Sequence, residues 1–289
     1  MKTFSIGILL LAPLIAAGAV SRNGAAAGTA GETHATAFRT ASSAADQFPR
    51  QSRGGFYGAE GDEDETYSFY FSRAAYGSGG RFGRSAWATD YPDADVWITN
   101  VLRRLTGVDV APYDHVVRLD DPKLRRFPFL YAVEVGSMGL APAEVQGLRE
   151  YLLAGGFLMV DDFWGAGQWE NFEWEIGQVL PEYPIVEIPL DHEIFSSYYA
   201  IREVIQVPNV NNGIAVGMGA PGARTEECPG CSPHIFGILD DKDRLLVIIN
   251  WNSDLGDAWE HAENQRYPLM YSTYAYQVAA NFIIYAMTH

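Results

Sequence analysis

The stretch AEVQGLREYLLAGGFLMVDD, residues 143–162, decides the fold. Val145, Leu148 and Leu152 share one helical face, and Gly155-Gly156 supplies the left-handed exit that ends a helix over Ala143–Leu153. The next four residues, Phe157-Leu158-Met159-Val160, form a short continuous apolar run that predicts a strand covered on both faces. A helix feeding directly into such a strand is the signature of a parallel sheet, and two carboxylates, Asp161-Asp162, stand where the strand ends.

The same alternation extends outward from this stretch. Upstream, the chain predicts an aromatic strand at Tyr67–Phe71, a long loop from Gly77 to Asp90, and a helix over Ala94–Leu105. A brief strand at Val116-Val117 and a stronger one at Phe129–Val135 follow. Downstream, Trp169, Phe172, Ile176 and Leu180 line a helix stopped by Pro181, before a strand at Pro184–Ile188. The second half is more irregular, with expected strands around Ile201–Gln206 and Ile214–Val216. A hairpin is expected from Ile235–Leu239 and Leu245–Ile249, turning at Asp240-Asp241-Lys242-Asp243. A helix from about Thr273 to Met287, apolar nearly all round, closes the chain. The class is therefore α/β, with a mostly parallel sheet and an irregular, hairpin-containing C-terminal half.

At the N-terminus, Lys2 precedes the apolar run Ile6–Ala17 and the small residues Ala17-Gly18-Ala19, the layout of a secretory signal cleaved near residue 19. Residues 20–65 are rich in Ala, Gly, Ser and Thr and read as a flexible low-complexity spacer, leaving one folded domain at 66–289. The expected location is periplasmic or extracellular, with no stable membrane span after signal removal. Thirty-six acidic against 20 basic side chains give a net charge of −16, a field that repels phosphate backbones and excludes nucleic acid as a partner. The 16 Tyr and seven Trp suit a packed core and a surface that stacks on sugars or peptides.

Ligands of open α/β sheets lie beyond the carboxyl ends of the strands, so polar residues there are the site candidates. Asp161 and Asp162 can bind a cation, hold an arginine or perform acid–base work, or one can cap the next helix while the other pairs with an arginine. Trp164 follows them. After the hairpin, Trp251, Asn252 and Asp254 make a polar loop with aromatic platforms, which frames a pocket mouth or forms an ordinary turn. His192, flanked by Asp191 and Glu193, is a candidate base or ligand beside its structural alternative. The loop carrying Arg81 and Arg84 can cradle an anion or neutralise Asp90, Asp161 or Asp162, but it has neither phosphate-loop nor dinucleotide spacing. Cys228 and Cys231 are expected to close a small disulfide. His234 extends them to a C-x-x-C-x-x-H pattern whose fourth metal ligand is missing.

Several segments together resemble a bacterial family known as domain of unknown function 4159. They are Gly79–Gly83, Trp87–Pro92, Gly155–Asp162, Asp191–Phe195 and Asn281–Ala286. The resemblance implies a flavodoxin-like three-layer sandwich similar to class I glutamine amidotransferases, and it brings no established activity. Amidotransferase chemistry needs a cysteine nucleophile on a tight strand-to-helix turn. Here that turn carries Asp161-Asp162, and both cysteines lie far along the chain. The expectation is a non-catalytic ligand-binding or assembly module, with a small molecule, glycan or envelope protein over Asp161, Asp162, Trp164 and the Arg81 loop. The alternative is a hydrolase of glycans or peptides using Asp161, Asp162 and His192. No cofactor is expected beyond the divalent metal that a carboxylate-assisted hydrolase would use.

Overall fold

The computed structural model describes residues 66–77 and 86–289. The expected signal segment, the expected spacer up to residue 65, and Arg81 and Arg84 lie outside the described residues. Seven strands form one mixed sheet in the order β2-β1-β3-β4-β7-β6-β5. They are β1 (Ser72–Ala75), β2 (His115–Arg118), β3 (Phe129–Val133), β4 (Phe157–Asp161), β5 (Ile185–Glu187), β6 (His234–Leu239) and β7 (Leu245–Trp251). The five strands from β2 to β7 in that order are mutually parallel, while β6 and β5 continue the sheet antiparallel.

Side chains alternate across the strands, and each face is covered by helices. On one face Phe71, Phe129, Tyr131, Phe157, Met159 and Ile248 pack with α1 (Asp93–Leu105), α5 (Leu255–Glu260) and the long α6 (Leu269–Thr288). On the other, Ala74, Leu130, Ala132, Leu158, Val160 and Ile249 pack with α2 (Pro142–Leu153) and α3 (Gly165–Val179). Strand β4 is buried at every position, which explains its unbroken apolar run. Gly155 takes φ 116°, the left-handed exit expected after α2. Among the described residues, no helix is long and apolar enough to cross a membrane.

Three elements differ from the sequence reading. The first strand is Ser72–Ala75, just beyond the expected Tyr67–Phe71, whose Phe69 makes only an isolated bridge to Val110. The segment around Ile214–Val216 is helical, lying in α4 (Val210–Gly217), because the Asn209 side chain accepts from the Asn212 amide and caps a helix there. The stretch 201–206 joins no ladder; its Gln206 instead donates to the carbonyls of Cys231 and Asn252.

Candidate functional site

The face that packs on α1 and α5 carries its own polar row. Continuing Phe71, Arg73 projects from β1 with no exposure, and Tyr131 and Asp161 follow on β3 and β4. The Arg73 guanidinium donates Nε to Asp95 at 3.0 Å and Nη2 to Asp95 at 2.5 Å. Its Nη1 donates to the carbonyls of Trp87 and Thr89 at 3.0 and 2.7 Å. It thereby fixes the segment that delivers Asp90. The same guanidinium lies 5.0 Å from the Tyr131 ring centre, and the Tyr131 hydroxyl donates to Asp161 Oδ2 at 3.0 Å.

Asp161 is wholly enclosed. Its Oδ2 also accepts from the amides of Leu255 and Gly256 at 2.9 and 3.2 Å, while Oδ1 has no partner among the described residues. Burial pushes its carboxyl up to about 7. Asp162 is 6% exposed, and its Oδ1 accepts from the Trp164 indole at 3.0 Å. Its carboxyl is held well above the usual range by burial and by the charges of Glu134 and Asp90.

Backbone geometry gathers these residues. Asp90, Glu134, Asp162 and Asn252 all adopt left-handed φ, at 60°, 55°, 50° and 59°, and all sit just past β1, β3, β4 or β7 or in the loop leading from them. Such conformations cost a non-glycine residue of order 1–3 kcal/mol and persist where surroundings over-determine them. Here the Asp162 amide donates to the Ser253 carbonyl, the Glu134 amide to the Asp162 carbonyl, and the Asn252 amide to the Phe163 carbonyl. Three neighbouring strand ends are stitched edge to edge. Asn252 adds side-chain bonds from Gly165 N at 2.8 Å and to the Ser232 carbonyl at 2.7 Å.

Beyond Asn252, Asp254 is 3% exposed and caps α5 by accepting from the Asp257 amide at 2.8 Å. Its carboxyl is raised well above normal by burial and by the charges of Asp162 and Asp257. Asp90 is pushed up to about 8 by burial and the charge of Asp257, and its buried Oδ2 has no partner among the described residues. Oxygens of Asp90, Asp254 and Asp257 lie within 4.8 Å of one another, as do those of Asp162, Glu227 and Asp254. A third group, Asp257, Glu260 and His261, shares Asp257. A carboxyl rim of this kind can concentrate and hold positive charge.

Of the residues singled out in the sequence, Asp90, Asp161, Asp162, Trp164, Asn252 and Asp254 converge here. Trp251 does not: its indole turns to the opposite face of the sheet, 4.8 Å from the Trp169 ring. His192 is not brought to the carboxylates either. It accepts from the Ile194 amide and lies beside Tyr285, whose hydroxyl accepts from the Leu245 amide at the start of β7, the end of the parallel strands opposite the carboxylates. The Cys228–Cys231 disulfide is present. Although distant in sequence, it lies against the turn after β4, where a Cβ on Gly165 would come 3.3 Å from Cys228 Sγ. His234 bonds Ser232 and Glu187 and completes no cysteine metal site.

Arg73, Glu134, Tyr131, Asp257 and Glu227 escaped the sequence reading. For Arg73 a signal existed, a lone charge among Phe69, Phe71 and Ala74. For Asp257 it was the Asp-x-x-Asp spacing from Asp254, which favours a helix cap. Glu227 comes in from a separate loop and offers no local signal.

A cavity of about 260 Å³ lies at the far end of α3, lined by Ile176, Leu180, Tyr183, Ile185 and Ile238. It lies at the end of α3 opposite the turn after β4 that carries Asp162.

Residues 71–287 match the model of a family described as a domain of unknown function, DUF4159. No curated protein matches the chain.

Proposed function

We propose that this chain, which belongs to the DUF4159 family, is an exported, non-catalytic binding module whose carboxyl rim takes up a positively charged ligand. The observation that carries the reading is the gathering of the half-buried Asp90 with the enclosed Asp161, Asp162 and Asp254, where burial raises each carboxyl and neighbouring charges raise Asp90, Asp162 and Asp254 further. A bound cation relieves that repulsion, so binding and rim stability reinforce one another.

The architecture supports the same place. The strand order β2-β1-β3-β4-β7 supports a flavodoxin-like reading, in which ligands lie beyond the carboxyl ends of the parallel strands, the end of the sheet where Asp161 and Asp162 close β4 and Asp254 follows β7. The amidotransferase-like sandwich is part of this proposal. The position of its nucleophile is taken by the Asp161-Asp162 turn, and both cysteines are joined in the disulfide. That disulfide fits an oxidising compartment, in keeping with a signal at residues 1–19.

One observation favours a second reading, a carboxylate-assisted hydrolase of glycans or peptides: Asp161 titrates at about 7, where an acid–base group works best. Against it, Asp161 has no exposure and Oδ2 is engaged by three donors. His192 takes no part in either reading.

The deciding experiment is a thermal-shift and calorimetric screen of the purified chain with polyamines, cationic peptides, metal ions and neutral and anionic glycans. Cations are expected to raise the melting temperature and Asp254→Asn to remove the effect. Turnover of a glycan or peptide, lost in Asp162→Asn with the fold intact, would overturn the non-catalytic reading.

A further inference from the structure

We infer that the ligand of this rim is a hard divalent cation, calcium foremost, held by Asp90, Asp254 and Asp257. The inference rests on the cation-binding reading above and narrows it to a metal ion.

The donor set is the first reason. Oxygens from these three carboxylates already lie within 4.8 Å of one another, and a donor set made only of oxygen selects calcium, magnesium or manganese over zinc or copper. Calcium tolerates irregular geometry and fills its remaining positions with water and carbonyl oxygens.

The second reason is independent of the cluster. Asp161, wholly enclosed and beside the three-carboxylate group, has an Oδ1 without a hydrogen-bond partner among the described residues, and within the group the buried Asp90 Oδ2 lacks one as well. Leaving such a group unsatisfied costs about 1–3 kcal/mol. The gap is one that a cation closes. Asp161 adjoins the group through Gly256: the amide of Gly256 donates to Asp161 Oδ2, and a Cβ there would come 2.6 Å from Asp90 Oδ2, 3.1 Å from the Tyr131 hydroxyl and 3.6 Å from Asp254 Oδ1.

Size is the third reason. Asp254 is 3% and Asp257 8% exposed, and the 260 Å³ cavity lies at the other end of α3. A bare ion fits between enclosed carboxylates where a polyamine or arginine side chain needs a channel. The neighbouring group of Asp257, Glu260 and His261 offers a nitrogen donor and is the natural competitor, so zinc and His261 enter the test.

The test is calorimetric titration of the chelator-treated full chain with calcium, magnesium and zinc chlorides, alongside spermidine. One calcium per chain is expected, with a rise in melting temperature of roughly 5 °C at saturation. Asp90→Asn and Asp254→Asn should each weaken binding by about tenfold or more, because ligand charge sets calcium affinity. Both variants suit their positions: asparagine tolerates the left-handed φ of residue 90 and caps a helix as aspartate does at 254. His261→Ala should leave calcium affinity within about twofold, since the proposed donors are all oxygen. The inference falls if wild type and both asparagine variants respond alike, or if zinc alone binds and His261→Ala removes it. If spermidine stabilises the chain through Asp254 while calcium does nothing, the metal is overturned and the cationic-ligand reading stands. If no cation acts, both fall.

Discussion

Arg73 shows how one residue holds the site in place. With no exposure and its Nε and Nη2 on Asp95, it can be removed only by leaving a buried aspartate without its counter-charge. Arg73→Met should therefore cost about 3–5 kcal/mol in chemical denaturation, and adding Asp95→Leu should recover part of the loss. Asn252 combines a left-handed φ with side-chain bonds to two other loops. Asn252→Ala is expected to cost about 2–4 kcal/mol, and Asn252→Gly less, because glycine meets the same lost bonds without the backbone strain. Equal costs for the two would show that strain plays no part. Asp161, Asp162, Asn252 and Asp254 were legible in the sequence because they follow apolar runs directly. Tyr131 was not, because nothing in a continuous buried strand marks which residue faces a carboxylate.

At the scale of elements, close approach can outweigh intrinsic preference. Gly147 sits inside α2, where alanine would ordinarily improve the helix by about 1 kcal/mol. A Cβ there would stand 2.0 Å from the Leu119 carbonyl oxygen, which is main chain and cannot swing aside. Gly147→Ala is thus expected to lower stability by about 1–3 kcal/mol, read as a reduced denaturation midpoint; a rise would mean that α2 can shift away freely. The strand β4, the helices either side of it and the β6-β7 hairpin were legible because each has an unambiguous period and a clear stop signal. Helix α5 was not. It is six residues long, and its apolar positions Leu255, Ala258 and Trp259 follow a run of turn formers. Residues 214–216 are too few to tell a buried helix from a strand by pattern, and the deciding signal was the Asn209 cap.

For the whole molecule, the acidic balance of −16 makes stability depend on pH in a defined direction. Asp161 and Asp90 are raised to about 7 and about 8, whereas unfolded carboxyls titrate near 4. Between roughly pH 4 and 8 the folded chain therefore holds protons that the unfolded chain releases, and stability falls as pH rises. In chelator the melting temperature should be higher at pH 5 than at pH 8; a climb across that range would falsify the assignment of these carboxyls. The class and the mostly parallel sheet were evident from the order of elements, while the meeting of the Cys228 loop with the β4 turn was not, because 66 residues separate Asp162 from Cys228. One terminal strand also bears on how copies of this molecule coexist. Strand β5 is three residues long, flanked by Pro184 and Pro189, and ends on Glu187. Proline cannot donate to a ladder, and a charge on the rim repels its own image, so at this border neighbouring copies find little to grip and crowded molecules are discouraged from polymerising through it.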